Sequence, residues 1–433
     1  MKSIKYTLIK LSILLLVINQ PSCAQDINFD AIRIDFVKRY TELEIPFLQI
    51  DYTQNIQAIK GADSIKIQVD FFQEFKEKLA DIEAKALSEY QELDFNIMRY
   101  EVDMNLERLE LERQWDSTTL LDNSNSIVTI PNGKKWYAYL LKRWVNDLVT
   151  PDEIFQFGLT EIEKVKTEMK AIQVKSGLSK EEFTAYLKDS SFYFNNFKDV
   201  QKAFEDAKQT VAKNSPRIFP FIDQIPDVGI AQGTNPSLAH VPAYYNDRTF
   251  FFNYFDKPYN KRQIGWIYIH EGIPGHHYQG MVNDIIKRTA IQELFWYSGF
   301  VEGWGAYVEY LSDELGVYKT IYDEYGKWEW DLIRSVRVAL DIGINYYGWS
   351  DRKSISFWKE HISDQDDIGW REIARMKRWP AQVITYKYGS DKFLKLLNKS
   401  RMKEDFEYKN FHKELLKYGD IPISQLDFNF TID

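Results

Sequence analysis

Apolar residues recur at helical spacing along most of the chain. Phe71, Phe72 and Phe75, then Leu79 and Ile82, fall three and four positions apart with charges between them, as in a helix that buries one face. Met98, Met104, Leu106, Leu109 and Leu111 continue the pattern among acidic and basic neighbours. It predicts helix from Phe29 to about Trp115, then a loop over the Asn-, Ser- and Thr-rich stretch from Asp116 to Gly133. Thr150-Pro151-Asp152-Glu153 supplies a cap, a proline at the first helical position and acids near the positive end of the dipole. The helix it opens is expected to run to Lys175 and stop at Gly177. Ser179 with Glu182 forms a capping box for the next one. Pro, Gly and Asn cluster from Pro216 to Pro236, and Tyr244 to Phe255 is aromatic and partly β-branched. That segment is expected to be loop-rich with one or two short strands, such as Arg248 to Tyr254. Helical patterning returns at Arg262 and lasts to about Lys417. No repeat, low-complexity tract or Ser/Gly linker divides the chain, so the expected fold class is mainly α, one large domain over residues 25–433.

Composition narrows the function. The net charge of −9 leaves no basic stripe to release counterions from a phosphate backbone, so nucleic acid is excluded as a partner. Aromatic residues reach 15%, which suits helices packed through bulky side chains or a ring-lined cleft. Lys2, Lys5 and Lys10 precede the apolar run Leu11 to Ile18, followed by Gln20-Pro21-Ser22-Cys23-Ala24-Gln25. This is a secretory signal over residues 1–24, and its apolar core is shorter than the ~20 residues a membrane-spanning helix needs. Ser22-Cys23-Ala24 suits ordinary signal peptidase. Alternatively Cys23 carries a lipid anchor, although Gln20 stands where a lipobox prefers an aliphatic residue. The expected location is therefore periplasmic, extracellular or membrane-anchored as a lipoprotein. Cys23 is the only cysteine, so a transition-metal site in the mature chain has to be built from His, Asp and Glu.

The densest chemistry lies in Tyr268-Ile269-His270-Glu271-Gly272-Ile273-Pro274-Gly275-His276-His277-Tyr278-Gln279, which holds three of the six histidines. Zinc takes neutral imidazole nitrogen and carboxylate oxygen, and a catalytic zinc keeps one position for water. A glutamate next to a ligand can act as base towards that water, as in the H-E-x-x-H helix. Here Pro274 replaces the second histidine of that motif. On a straight helix His270 and His276 would lie about 120° apart, and His277 nearly above His270. Pro274 and Gly275 break such a helix, so spacing leaves His276 and His277 both open.

His270-Glu271-x-x-Pro274-Gly275-His276-His277-x-Gln279 resembles the bacterial DUF885 family, a group with a zincin-like H-E-x-x-P-G-H signature. The likeness extends through Glu302-Gly303-Trp304-Gly305-Ala306-Tyr307-Val308-Glu309, Arg334-x-x-Arg337-x-x-x-Asp341-x-Gly343 and Gly348-Trp349-Ser350. It returns at Pro380-x-Gln382-x-x-x-Tyr386-Lys387-x-Gly389 and at Phe411-His412, and covers roughly residues 150–425. The resemblance implies a helical zincin-like domain in which His270, His276 and Glu302 bind zinc and Glu271 is the general base. His277 is the fallback ligand. Gly303 beside Glu302 would let another helix approach closely. The family often has histidine where Asn345 stands, so a transition-state donor there would be weakened or changed.

Competing readings accompany these assignments. Glu302 and Glu309 also fit solvated helix charges. Tyr386 fits a donor to the oxyanion of a tetrahedral intermediate or a cleft-wall aromatic. Arg337 fits a clamp on a substrate carboxylate or an ion pair with Asp341, four residues on. His240, His361 and His412 read as structural or surface residues. The functional expectation is a secreted zinc metallopeptidase that cleaves peptides or another amide. A short strand near Phe250 could hold the substrate by strand addition. Rivals are a hydrolase of a non-peptide amide or ester, and a binding protein with a decayed site.

Overall fold

The computed structural model describes residues 28–239 and 241–426; the segment expected to be a secretory signal, with Cys23, and His240 lie outside the described residues. The architecture is mainly α, as the periodicity predicts. The N-terminal stretch is not continuous helix but is divided into Phe29–Glu42, Tyr52–Gln57, Ala62–Ala80 and Glu89–Arg113. Phe36, Phe71, Phe72 and Phe75 pack their rings at the centre of this region and are almost fully buried. The helix Pro151–Lys175 has the predicted bounds, with Thr150 and Glu153 bonding reciprocally across its first turn. Gly177 closes it at φ 74°. The helix Lys180–Tyr186 starts at the predicted capping box. Among the described residues no helix is long and apolar enough to cross a membrane.

Two helix pairs form the frame around the cleft. Pro151–Lys175 lies along Ile321–Asn345, and Ser298–Val308 crosses Ile384–Ser400. The second pair meets backbone to backbone. A Cβ added to Gly303 would stand 2.6 Å from the Gly389 Cα, and one on Gly389 would stand 2.2 Å from the Gly299 carbonyl oxygen. The close approach expected beside Glu302 is therefore present. Lys387 ties the two pairs together, with its ammonium 3.0 Å from Asp331 and 2.9 Å from Glu161. Three long helices thus share one buried cation.

The strands are shorter and more numerous than expected. Thr249–Phe252 is the centre of a three-stranded sheet, parallel to Gly229–Gln232 and antiparallel to Ala243–Asn246. Asp247 and Arg248, at φ 43° and 57°, make the two-residue turn between Ala243–Asn246 and Thr249–Phe252, in the primed geometry that matches strand twist. Tyr193–Phe194 pairs separately with Tyr259–Asn260. Ala243–Asn246 is an edge strand whose free side faces the helix that carries His270.

The glycine crossing leaves no room for a methyl group. Gly389→Ala is expected to cost about 1–3 kcal/mol of stability through overpacking, seen as a lower urea midpoint. An unchanged midpoint would mean that the two helices can separate freely.

Candidate metal centre

The chain reverses between its two key histidines. The helix Ile264–Glu271 presents His270 and ends where the Gly272 amide donates to the Tyr268 carbonyl (2.8 Å). Gly272 to Gly275 then form a tight link containing a cis Ile273–Pro274 peptide, and a new helix begins at His276. A side chain at Gly275 would stand 1.8 Å from the His270 carbonyl oxygen; only glycine lets the link fold onto the first helix's carbonyl end. The Trp304 indole donates to the Pro274 carbonyl (2.8 Å) and fixes the link against the next layer. As a result the rings of His270 and His276 lie 4.8 Å apart and nearly perpendicular. His277 turns away. Its Nε2 donates to the Pro226 carbonyl (2.7 Å) and its Nδ1 accepts from the Tyr245 hydroxyl (3.0 Å). Of the two histidines that spacing left open, His276 is the one brought beside His270.

The helix Ser298–Val308 supplies the opposing face. Glu302, Gly305 and Glu309 share one side of it, at three and seven positions' separation. Glu302 Oε2 lies 3.3 Å from His276 Nε2. Burial opposes the charge on both groups, but their mutual bond outweighs it, raising the His276 pKa and lowering that of Glu302. Gly305 is the surface on which both imidazoles rest, since a Cβ there would be 2.9 Å from His270 Cε1 and 3.0 Å from His276 Cε1. Glu309, fully buried, accepts from His270 Nδ1 (2.7 Å) and from Arg334 (2.6 Å). Burial alone would raise the Glu309 carboxyl; Arg334 and His270 outweigh it and hold it ionised. Because Nδ1 donates, His270 Nε2 keeps its lone pair free for a cation.

His270, Glu271 and His276 each offer a donor atom, all within 4.8 Å of one another, and Glu302 joins them through His276. This nitrogen and oxygen set fits a borderline divalent metal such as zinc better than a hard ion such as calcium. The group opens onto a cleft of about 940 Å³ lined by His270, Glu271, Arg334, Arg337 and Tyr386. On one side the Tyr245 backbone amide of the edge strand donates to Glu271 (3.2 Å). On the other, the Tyr386 ring lies 6.2 Å from that of His270 and nearly parallel to it. Gln382 donates to the Tyr386 hydroxyl at 3.5 Å. Burial raises the pKa of that phenol, so it remains a donor.

Two expectations require correction. Arg337 does not pair with Asp341; it donates to Glu372 (2.6 Å) on the helix Asp366–Arg378. Asp341 instead accepts from the Tyr137 hydroxyl (2.6 Å) and the Ala381 amide (3.0 Å). Asn345 is not in the cleft. It is fully buried, accepting from Ser126 (2.9 Å) and donating to the Met376 carbonyl (2.9 Å), so it holds helices together. His412 is likewise structural, between Tyr307 and the Ile218 carbonyl. His361 contacts Lys166 at 2.7 Å. Sequence reading undervalued Glu309, although its seven-residue spacing from Glu302 placed both on one helix face.

The fold and this constellation define a mainly α protein with a His/Glu cluster at the base of a cleft. The chain belongs to the DUF885 family, described as bacterial protein of unknown function, whose model matches residues 107–429. Comparison with curated proteins gives no match. Among solved structures, a "putative lipoprotein" from Colwellia psychrerythraea is similar at TM-score 0.64 and 21% identity, over 93% of this chain and 73% of that one. A "putative lipoprotein of unknown function" from Shewanella oneidensis is similar at TM-score 0.67 and 14% identity, over 92% and 98%. At these identities the likeness is one of fold.

Burial pushes the Asp341 carboxyl from 3.8 up to about 7. The folded chain therefore keeps a proton that the unfolded chain releases. The associated stability is complete below about pH 4 and is lost as the pH rises towards 7. Asp341→Asn imitates the protonated form, so its penalty in urea unfolding is expected to be smaller at pH 8 than at pH 5. An equal penalty at both would contradict the assignment.

Proposed function

We propose that the protein is an exported zinc-dependent hydrolase acting on peptide bonds. The observation that carries this is the convergence of His270, Glu271 and His276 at the base of a cleft, with Glu302 against His276 and Glu309 orienting His270. His270, His276 and Glu302 would hold the ion, an arrangement like that of a glutamate zincin. Zinc, when bound, supplies Lewis-acid polarisation of the carbonyl and a water of lowered pKa. Glu271 stands free of the opposing helix, positioned by the Tyr245 amide. It takes the proton of the attacking water and returns it to the leaving amine. Tyr386 donates a hydrogen bond to the developing oxyanion. The free side of the strand Ala243–Asn246 offers backbone donors and acceptors to an extended peptide. These features favour a peptide over a compact ester, which has no use for a strand edge. Export, and a lipid on Cys23, rest on the signal-like N-terminus and are supported by the descriptions of the two similar structures.

Metal analysis of the purified mature chain is expected to give about one zinc per chain, lost in His270→Ala and in Glu302→Ala. No zinc after reconstitution would sink the reading. Glu271→Gln is expected to keep the metal and to slow peptide hydrolysis by about 10²–10⁴-fold. Glu309→Gln, which unseats the His270 ring without touching the ion, is expected to weaken zinc binding by about 10–100-fold in competition with a chromogenic chelator.

A further inference from the structure

One wall of the cleft carries more positive charge than its own carboxylates balance. Arg334 is matched by Glu309. Deeper along the same wall, Arg337 and Arg375 share a single carboxylate, Glu372, at 2.6 Å and 3.8 Å. Two further acids lie within electrostatic reach of Arg375: Asp341, which holds its proton up to about pH 7, and Glu302, which is paired with His276. Towards the mouth, Arg378 stacks on Trp379 and, among the described residues, has no carboxylate within 4 Å. Arg371, Arg375 and Arg378 lie on one face of the helix Asp366–Arg378, at four- and three-residue intervals, and of these Arg371 is matched by Asp367 at 3.8 Å. This excess stands out in a chain whose net charge is −9.

Packing does not account for it. The Arg337–Glu372 bond is enough to join the helices Ile321–Asn345 and Asp366–Arg378. Arg375 adds a second guanidinium beside that pair, so two buried cations share the one carboxylate of Glu372, which compensates only one of them. The Nε–H groups of both Arg337 and Arg375 are buried without a hydrogen-bond partner, and both side chains line the cleft. Arg375 also donates to Gln382 (2.8 Å), which in turn reaches the Tyr386 hydroxyl. The uncompensated charge is therefore linked to the ring that lies beside His270.

We propose that Arg375, with Arg337 behind it, forms a subsite for a carboxylate of the substrate, placed within about two residues of the bond to be cut. The proposal rests on the cleft being the substrate-binding site described above. Two sources share this chemistry: the free C-terminus of a peptide, which would make the enzyme a carboxypeptidase, and an acidic side chain next to the scissile bond. A planar guanidinium recognises either through paired N–H bonds, and a cleft with low-dielectric walls strengthens that attraction.

The test is fluorescence anisotropy on zinc-loaded Glu271→Gln protein, with three labelled tetra-alanine probes: free acid, C-terminal amide, and an amide with one alanine replaced by glutamate. At least one carboxylate probe is expected to bind ten or more times tighter than the plain amide. That preference should fall below threefold when Arg375→Gln is added, while Arg375→Lys keeps part of it. Preference for the free acid identifies the C-terminus, and preference for the glutamate amide identifies a side chain. Equal affinity for all three probes overturns the proposal, and needs no variant at Arg375 that has to fold. If carboxylates bind through Arg375 but the parent enzyme cleaves none of these peptides, the peptidase reading fails and the subsite stands.

Discussion

The arrangement around the candidate centre depends on one buried anion. Glu309 is out of contact with water and sits at the C-terminal end of the helix Ser298–Val308, where the helix dipole is already negative. A lone carboxylate there would cost several kcal/mol. It is stable because Arg334 reaches it from the middle of Ile321–Asn345 and His270 reaches it from Ile264–Glu271. Three elements distant in sequence are thereby held to one point. Satisfying Glu309 also fixes the His270 tautomer, so a requirement of folding leaves the His270 Nε2 lone pair turned towards the cluster.

Such convergence needs backbones closer together than side chains usually allow, and glycine supplies the room. Gly275 lets the chain fold back on the end of its own helix, which brings His276 beside His270. Gly305 lets both imidazoles lie against the helix that carries Glu302 and Glu309. Gly303 and Gly389 let that helix press on the one bearing Tyr386. Each contact fixes the distance between a pair of site residues, so the motif glycines specify geometry as much as the histidines specify chemistry. Gly305 sits three residues from Glu302, and its value is invisible until the rings it supports are in place.

What was legible in the sequence was local. The capping residues Thr150 and Glu153, or Ser179 and Glu182, act within one turn; both helix starts were legible, and for the first helix its end at Lys175 as well. The mainly α class followed from periodicity, and the cluster around His270 and Glu271 from density, with His276 preferred over His277 only through the family resemblance. Signals failed where partners are far apart in the chain. Gly229–Gln232 and Ala243–Asn246 are four residues long and exist as strands because Thr249–Phe252 pairs with both. The choice between His276 and His277 turned on Tyr245 and the Pro226 carbonyl, which claim His277. The four-residue spacing also offered Asp341 as a partner for Arg337, beside a substrate carboxylate, yet Glu372 on another helix takes it, and Asp341 is held by Tyr137 and Ala381.

The two walls of the cleft differ in what they can distinguish. A strand edge bonds to backbone, which every peptide shares, so Ala243–Asn246 can contribute affinity and alignment but little selectivity. The Tyr245 amide is moreover engaged with Glu271, which couples the alignment of that strand to the position of the Glu271 carboxylate. On the proposed peptidase reading, selectivity arises on the facing wall, where side chains of Ile321–Asn345 and Asp366–Arg378 meet the cleft. Any substrate discrimination in this architecture therefore varies with the residues of the Asp366–Arg378 helix. The His270, His276 and Glu302 geometry, set by Glu309 and the glycines, need not change with it.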